Sequence, residues 1–170
     1  PDWRQQWIDQ ANDWGCYPHN PGDHREYALS TYNNHPDGAG ISLSSPRRPM
    51  LTVRIGFLTY PGEAIRGSGL RHFPADSHLN AWLESQGHDY DIVTDWELHR
   101  EGVDVLKGYD VVLTGSHPEY HTRETLSALT QYRDGGGRFC YLGGNGFYWK
   151  VALDPEKEGT IEIRRGEGGI

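Results

Sequence analysis

The sequence predicts an α/β protein with a parallel-majority sheet flanked by helices, of the Rossmann-like or flavodoxin-like kind. Three observations support this prediction. From about residue 50 onward, short apolar runs typical of strands alternate with helix-like segments, Gly-rich stretches separate the two, and the apolar runs show little polar alternation. Strands that alternate with helices indicate βαβ units with right-handed crossovers. Strands that are apolar on both faces fit a sheet that is covered on both sides.

Residues 1–49 are predicted to form an irregular segment in front of the α/β domain, which spans 50–170. The segment is dense in Pro, Gly, Asn, Asp and His, a composition typical of turns and loops. It is nevertheless too aromatic for ordinary disorder. We therefore expect it to pack on the main domain or on further chain. The missing initiator Met leads us to expect a piece of a longer polypeptide.

The predicted strands follow the apolar runs of the second segment. They are expected near 51–59, 90–94, 109–114 and 138–142. The run "TIEIRR" at 160–165 alternates between apolar and polar residues, which is typical of an edge strand.

Two helices are predicted between these strands. The first is expected near 76–86, with Asp76 or Ser77 as its N-cap and Gly87 as its end. The second is expected near 122–134, with Thr122 as its N-cap and the run Gly135–Gly137 as its end.

Composition excludes several classes of partner. The 170 residues carry a formal net charge of −8, and the 16 Lys and Arg are scattered, which argues against binding to nucleic acid. No apolar run approaches the roughly 20 residues of a membrane span, so no membrane partner is expected. Two cysteines, Cys16 and Cys140, are too few for a disulfide scaffold, which favours a reducing, cytoplasmic location. Cys140 is expected to be a small buried side chain in its strand.

Polar side chains collect where the predicted strands end. "YDVVLTGSHPEYHT" (109–122) places His117 and Glu119 after the third strand, and "GGNG" (143–146) places Asn145 after the fourth. Tyr60 and Asp95 follow the first two strands. Parallel strands direct their carboxyl ends to one edge, where such sheets bind ligands. A solvated loop with a helix cap, or a plain strand-to-helix turn at "GGNG", explains the same residues without a site.

Nucleophilic catalysis has little support in the sequence. Neither Gly-x-Cys-x-Gly nor Gly-x-Ser-x-Gly occurs, so a metal or a general base would have to activate water. The loop "STYNNHPDGAG" (30–40) offers hard donors for a trivalent metal, namely Tyr32, Asn33, His35 and Asp37. The alternative is a packed surface loop that turns at Asp37–Gly38.

The blocks "TGSHPEYHT" and "YLGGNGFYW", together with flanking sequence from about residue 27 to the end, resemble the large (β) subunit of N,N-dimethylformamidase. The resemblance implies part of a C-terminal domain with a glutamine-amidotransferase-like α/β fold. It implies hydrolysis of small N-substituted formamides to formate and an amine. It also implies a mononuclear ferric iron held by two tyrosines and a glutamate, and a small subunit that completes a hetero-oligomer.

The resemblance assigns roles to four residues of this chain. Glu119 matches the iron-ligating glutamate, His117 and Asn145 match active-site residues, and Tyr32 matches the second tyrosine ligand. The first tyrosine has no clear counterpart here, and a further acidic residue of the family would lie beyond Ile170. These gaps leave a non-catalytic binding or scaffold domain as an alternative. A sugar-binding relative is a second alternative, because aromatic surfaces stack on sugars.

The same resemblance implies a catalytic role for each of these residues. His117 would orient or deprotonate water, and Asn145 would hold the amide oxygen. The aromatic side chains near the predicted strand ends would form a small apolar wall, or would instead pack in the core: Trp96, Phe147, Tyr148 and Trp149.

Overall fold

The computed structural model of the chain describes residues 37–47 and 72–164. The described residues belong to two compact units, one containing 72–89 and the other containing 37–47 and 90–164. The predicted strand at 51–59 lies outside the described residues, as do Tyr32, Tyr60 and most of the predicted irregular segment. None of the helices within the two described ranges has the length and apolar character needed to cross a membrane.

The first unit contributes one described helix, α1 (Phe73–Ser85). Its N-cap is His72, and Pro74 lies in the first turn, where a proline costs no helical hydrogen bond. The prediction that Asp76 or Ser77 caps this helix is therefore wrong. The helix begins earlier because the His72 carbonyl already accepts from the amides of Ala75 and Asp76. After Gln86, the helix ends at Gly87, whose φ of +72° suits glycine.

The second unit contains the remaining helices and strands. Its helices are α2 (Asp95–Glu101), a short 3-10 helix (Gly102–Leu106) and α3 (Arg123–Asp134). Its strands, in chain order, are β1 (Leu43–Ser44), β2 (Val111–Leu113), β3 (Tyr120–His121), β4 (Arg138–Cys140), β5 (Trp149–Leu153) and β6 (Ile161–Ile163).

The strands form one parallel two-stranded sheet and one mixed four-stranded sheet. Strands β2 and β4 form a parallel pair, with Val112 opposite Phe139. The other sheet has the order β1-β6-β5-β3, in which β3 and β5 are parallel and the other two pairs are antiparallel. The α/β class is therefore confirmed. The described pairs divide equally between parallel and antiparallel, so they do not confirm a parallel majority or a Rossmann-like order.

The predicted strands at 109–114 and 138–142 are confirmed as the shorter β2 and β4. The predicted strand at 90–94 is wrong, because residues 88–94 form neither helix nor strand. Thr94 instead begins α2 through a capping box, in which its hydroxyl accepts from the Glu97 amide and Glu97 accepts from the Thr94 amide. The run at 160–165 does contain strand β6, but that strand lies between β1 and β5 and is not an edge.

The core of the second unit lies between its helices. Leu98 of α2, Leu106 of the 3-10 helix, and Ala128 and Tyr132 of α3 are buried together. The Tyr132 hydroxyl donates to the Tyr109 carbonyl at 2.8 Å, which satisfies the polar end of a buried ring. This cluster fixes α3 on the strand β2 side of the unit and so gives the loop after β2 a rigid base.

The N-cap of α3 can be tested by substitution. The Thr122 hydroxyl accepts from the Thr125 amide at 3.1 Å, as predicted for the N-cap. Replacing Thr122 with Ala should cost about 1 kcal/mol of local stability, equivalent to roughly fivefold faster amide exchange in the first turn of α3. Hydrogen exchange of the full-length protein measures this. Thr122→Ser, which keeps the acceptor, should exchange like the natural protein, and equal exchange in the Ala variant would contradict the assignment.

Candidate functional site

Two loops meet beside the parallel pair of β2 and β4. The first, residues 114–119, follows β2, and the second, residues 141–148, follows β4. Because parallel neighbours end on the same side, both loops leave the same edge, as the sequence predicted for these two strand ends. Hydrogen bonds between backbone groups join the loops from Gly144 N to Ser116 O, from Phe147 N to Pro118 O and from Trp149 N to Glu119 O.

Glycine at position 143 allows this close approach. A Cβ there would overlap the Pro118 ring and would lie 2.8 Å from the Ser116 carbonyl oxygen. At Gly144, by contrast, a Cβ would meet only the Nδ1 atom of His117, at an ordinary contact distance of 3.9 Å. The first glycine is therefore required by packing, and the second places the backbone of the 141–148 loop beside the imidazole ring.

His117 and Glu119 form a buried pair. The Nε2 atom of His117 lies 3.0 Å from the Oε2 atom of Glu119, and the two side chains are only 12% and 10% exposed. The Glu119 amide also donates to the His117 carbonyl across Pro118, at 2.9 Å. This tight turn suits the fixed φ of proline, and it places both side chains where they can meet. Because a carboxylate only accepts, Nε2 carries the proton in this contact.

Within the described part of the chain, the two oxygens of the Glu119 carboxylate differ in their hydrogen bonding. Oε2 accepts from His117, while Oε1 has no hydrogen-bond partner among residues 37–47 and 72–164. Burying a carboxylate is costly unless its charge and lone pairs are matched. An unmatched buried oxygen of this kind fits a cation ligand. The described residues contain no group of three His, Cys, Asp or Glu side chains that could hold a metal, so further ligands would have to come from elsewhere.

Asn145 lies in the 141–148 loop, one residue after Gly144. Its φ is +48°, a conformation that asparagine tolerates better than most residues. Asn145 is exposed, so its amide group is accessible from solvent. The structure thus brings His117 and Glu119 together and places Asn145 in the loop beside them. Tyr32 lies outside the described residues, and its role stays a prediction.

The sequence patterns did not identify His121, which lies in β3, two residues after Glu119. Its side chain is buried, and its Nε2 atom lies 2.9 Å from the Pro118 carbonyl oxygen. Its ring stacks on Phe147, with centroids 4.7 Å apart and planes 18° apart. The available signal was its position four residues after His117, but that spacing brings two imidazoles together on a helix, and Tyr120 and His121 form a strand here.

Asp95 begins α2 and is electrostatically coupled to His121. Asp95 as a whole residue is exposed, yet loss of water around its carboxyl group raises the pKa of that group. The positive charge that His121 can carry opposes this rise. Asp95 had been predicted at a strand end, and it lies instead at a helix start.

The predicted aromatic wall is divided between two surfaces. Phe147 and Tyr148 are exposed in the 141–148 loop, and Trp149 packs edge-on against Tyr148. Trp96 lines a separate open groove together with Arg100, Arg123 and Lys150. Neither His117, Glu119 nor Asn145 lines that groove. Only the first three aromatics therefore accompany the loops that carry the predicted site residues.

The predictions for Cys140 and for the 30–40 loop can also be compared with the structure. Cys140 was expected to be buried and is exposed, because it ends the two-stranded pair, whose other strand is partly open to solvent. In the 30–40 loop, the Asp37 side chain accepts from the Ala39 amide at 2.9 Å, and Gly38 has a φ of +86°. Asp37 and Gly38 therefore form the turn that the sequence offered as an alternative to metal binding at Asp37.

Comparisons with known proteins agree with the resemblance. The model of a family described as "N,N-dimethylformamidase beta subunit-like, C-terminal" matches residues 11–170. The N,N-dimethylformamidase beta subunit of Paracoccus aminophilus is 45% identical over 139 residues, which are 82% of this chain and 18% of the relative. The N,N-dimethylformamidase beta subunit of an Alcaligenes species is 42% identical over the same shares. The chain thus spans less than a fifth of the length of these relatives.

The two adjacent glycines provide a matched pair of variants for testing the loop contact. Gly143→Ala should destabilise the 114–119 and 141–148 loops, because its methyl group overlaps Pro118; overpacking of this kind costs about 1–3 kcal/mol. Gly144→Ala should leave the loops as they are. Hydrogen exchange over 141–149 in the full-length protein compares them, and equal exchange in the two variants would contradict the close approach at Gly143.

Proposed function

Because this chain belongs to the N,N-dimethylformamidase beta subunit-like, C-terminal family, we propose that the full-length protein hydrolyses small N-substituted formamides to formate and an amine. The observation that carries the proposal is the buried pair of His117 and Glu119, held where the loops after two parallel strands join. A buried carboxylate with one unmatched oxygen, next to an imidazole, is a combination suited to activating water.

The proposed cofactor is a mononuclear ferric ion. Glu119 would bind it through Oε1, since Oε2 is already bonded to His117. Tyr32 would supply a phenolate, and a second tyrosine would come from chain outside this sequence. Carboxylate and phenolate are hard anionic donors that suit such an ion. When bound, the ion would polarise the amide carbonyl and lower the pKa of a coordinated water.

His117 would handle the proton of the attacking water. Its Nε2–H donates to Glu119, which fixes the tautomer and turns Nδ1 toward Gly144. His117 would accept the water proton and later return it to the departing amine. Glu119 would stabilise the imidazolium that forms, much as a buried aspartate does in a catalytic triad.

Asn145 would orient the substrate. Its amide would donate to the amide oxygen as negative charge develops there, in the manner of an oxyanion hole. The exposed rings of Phe147 and Tyr148 would contact the N-alkyl groups, since small-molecule sites combine apolar walls with a few polar groups. The parallel β2–β4 pair, with these loops at its carboxyl end, supports the proposal that the whole domain is glutamine-amidotransferase-like.

The relatives are named as beta subunits. We accordingly propose that the full-length protein works as the large subunit of a cytoplasmic hetero-oligomer with a smaller partner subunit.

Substitutions of the buried pair separate metal binding from turnover. In the full-length protein, Glu119→Gln should lose iron and hydrolysis together, because a neutral amide cannot replace the anionic ligand. His117→Gln, whose amide can still donate to Glu119, should keep iron and lose about 100- to 10,000-fold in turnover. Elemental analysis and amine release from N,N-dimethylformamide measure the two effects.

Glu101→Gln is the matched control, because Glu101 is an exposed carboxylate at the end of α2. It should leave both iron and turnover unchanged. Glu119→Gln with full iron and full turnover would contradict the proposal. If the intact natural protein neither bound iron nor released amine, a non-catalytic binding domain would be favoured instead.

Asn145 can be tested without disturbing its backbone. Asn145→Gly tolerates the positive φ but lacks the amide, and should lower kcat about 100- to 1000-fold if that amide holds the developing oxyanion. Asn145→Ala lacks the amide and also strains the backbone by about 1–2 kcal/mol. Steady-state kinetics combined with hydrogen exchange over 141–149 separate the effects. A wild-type kcat in Asn145→Gly would show that the Asn145 amide has no catalytic role and that the residue matters only for the backbone conformation.

A further inference from the structure

The carbonyl of Pro118 joins the two loops of the site. It accepts from the Phe147 amide at 2.8 Å and from the Nε2 atom of His121 at 2.9 Å. Pro118 lies between His117 and Glu119, so its position constrains both members of the buried pair. One carbonyl group thus links the 114–119 loop to the 141–148 loop and to β3.

His121 is well anchored on the far side of this junction. It lies in β3, which pairs with β5 through Tyr120 opposite Trp149. The residue is only 4% exposed, and its Nδ1 atom lies 3.5 Å from the Thr125 hydroxyl in the first turn of α3. Because a carbonyl only accepts, Nε2 must carry the proton in the bond to Pro118. Both ring nitrogens therefore face protein groups, an arrangement that does not suit a metal ligand.

Phe147 needs such an anchor. Its φ of +58° is unfavourable for a residue with a side chain, by about 1–2 kcal/mol. Strained residues persist only where the surroundings hold them. Among the contacts of Phe147 are the hydrogen bond from its amide to the Pro118 carbonyl, the stacked ring of His121 and the tilted rings of Phe139 and Tyr141. Phe147 lies two residues after Asn145, so holding Phe147 also holds the turn that presents the Asn145 amide.

We propose that His121 is a positioning residue, which fixes the His117–Glu119 pair through the Pro118 carbonyl and the Asn145 turn through the Phe147 ring. It touches neither substrate nor metal, and its catalytic consequence rests on the function proposed above. Loss of the His121 donor should loosen the junction at the Pro118 carbonyl and let the Asn145 turn move, while the bond from the Trp149 amide to the Glu119 carbonyl still holds the iron-binding residue. The expected result is a fall in kcat with iron retained.

Two variants of His121 separate its hydrogen bond from its ring. His121→Phe keeps a stacked ring and loses the donor, whereas His121→Gln keeps a donor near the position of Nε2 and loses the ring. The matched control is His88→Gln, since the His88 ring contacts Trp82 of α1 and takes no part in the hydrogen bonds of Thr122 and Thr125. All three are made in the full-length protein together with its small subunit.

The measurements are hydrogen exchange over 141–149, iron content, and kcat and KM for N,N-dimethylformamide. His121→Phe should exchange about tenfold faster at the Phe147 amide and lose about tenfold in kcat, with KM and iron little changed. His121→Gln should return both values to within about threefold of the natural protein. A purely structural histidine would not be rescued by glutamine in this way.

The contrary outcomes are distinct. A wild-type exchange rate at the Phe147 amide together with a wild-type kcat in His121→Phe would overturn the proposal. Loss of iron while the Phe147 amide remains protected from exchange would overturn it as well. If His121→Phe unfolds globally, His121→Gln decides, because a glutamine variant without recovered exchange and kcat overturns the role of the donor. If the wild-type protein hydrolyses no amide, that result refutes the proposed function. Faster exchange of the Phe147 amide in His121→Phe would still support the positioning role of His121.

Discussion

A carboxylate that is nine-tenths buried, as that of Glu119 is, requires partners for its charge, because water no longer provides them. His117 supplies one partner across a three-residue turn, and the stiff ring of Pro118 keeps that turn short. The other oxygen has no hydrogen-bond partner in the described part of the chain. A cation at that oxygen would both balance the carboxylate charge and provide the proposed chemistry.

The elements around the pair are arranged to keep it rigid. Tyr132 and its apolar neighbours fix α3, and the Thr122 cap begins that helix directly after β3. The 141–148 loop then closes on the 114–119 loop because Gly143 permits backbone contact. Catalytic groups held by packed elements and second hydrogen bonds keep their geometry better than groups on free loops. His121 supplies that second layer of contacts here.

Local sequence signals predicted the parts of the fold that local interactions determine. The Thr122 cap and the terminal glycines located α3, and apolar runs located β2 and β4. The strand expected at 90–94 failed because the Thr94–Glu97 capping box commits that stretch to a helix start. Strand β3 was missed because it is only two residues long and pairs with residues far apart in sequence. Strand β5 was missed although Trp149, Val151 and Leu153 alternate with Lys150 and Ala152, a pattern that does predict a strand. The role of His121 depends on contacts through space, which composition and spacing do not reveal.

The central claim is that the unmatched oxygen of Glu119 binds iron. Anomalous diffraction from crystals of the full-length protein, recorded on both sides of the iron absorption edge, tests it most directly. The account predicts one iron peak about 2 Å from a Glu119 carboxylate oxygen and a similar distance from the Tyr32 phenolate. A catalytically active crystal with no iron peak at Glu119, or with iron held entirely by other residues, would contradict it.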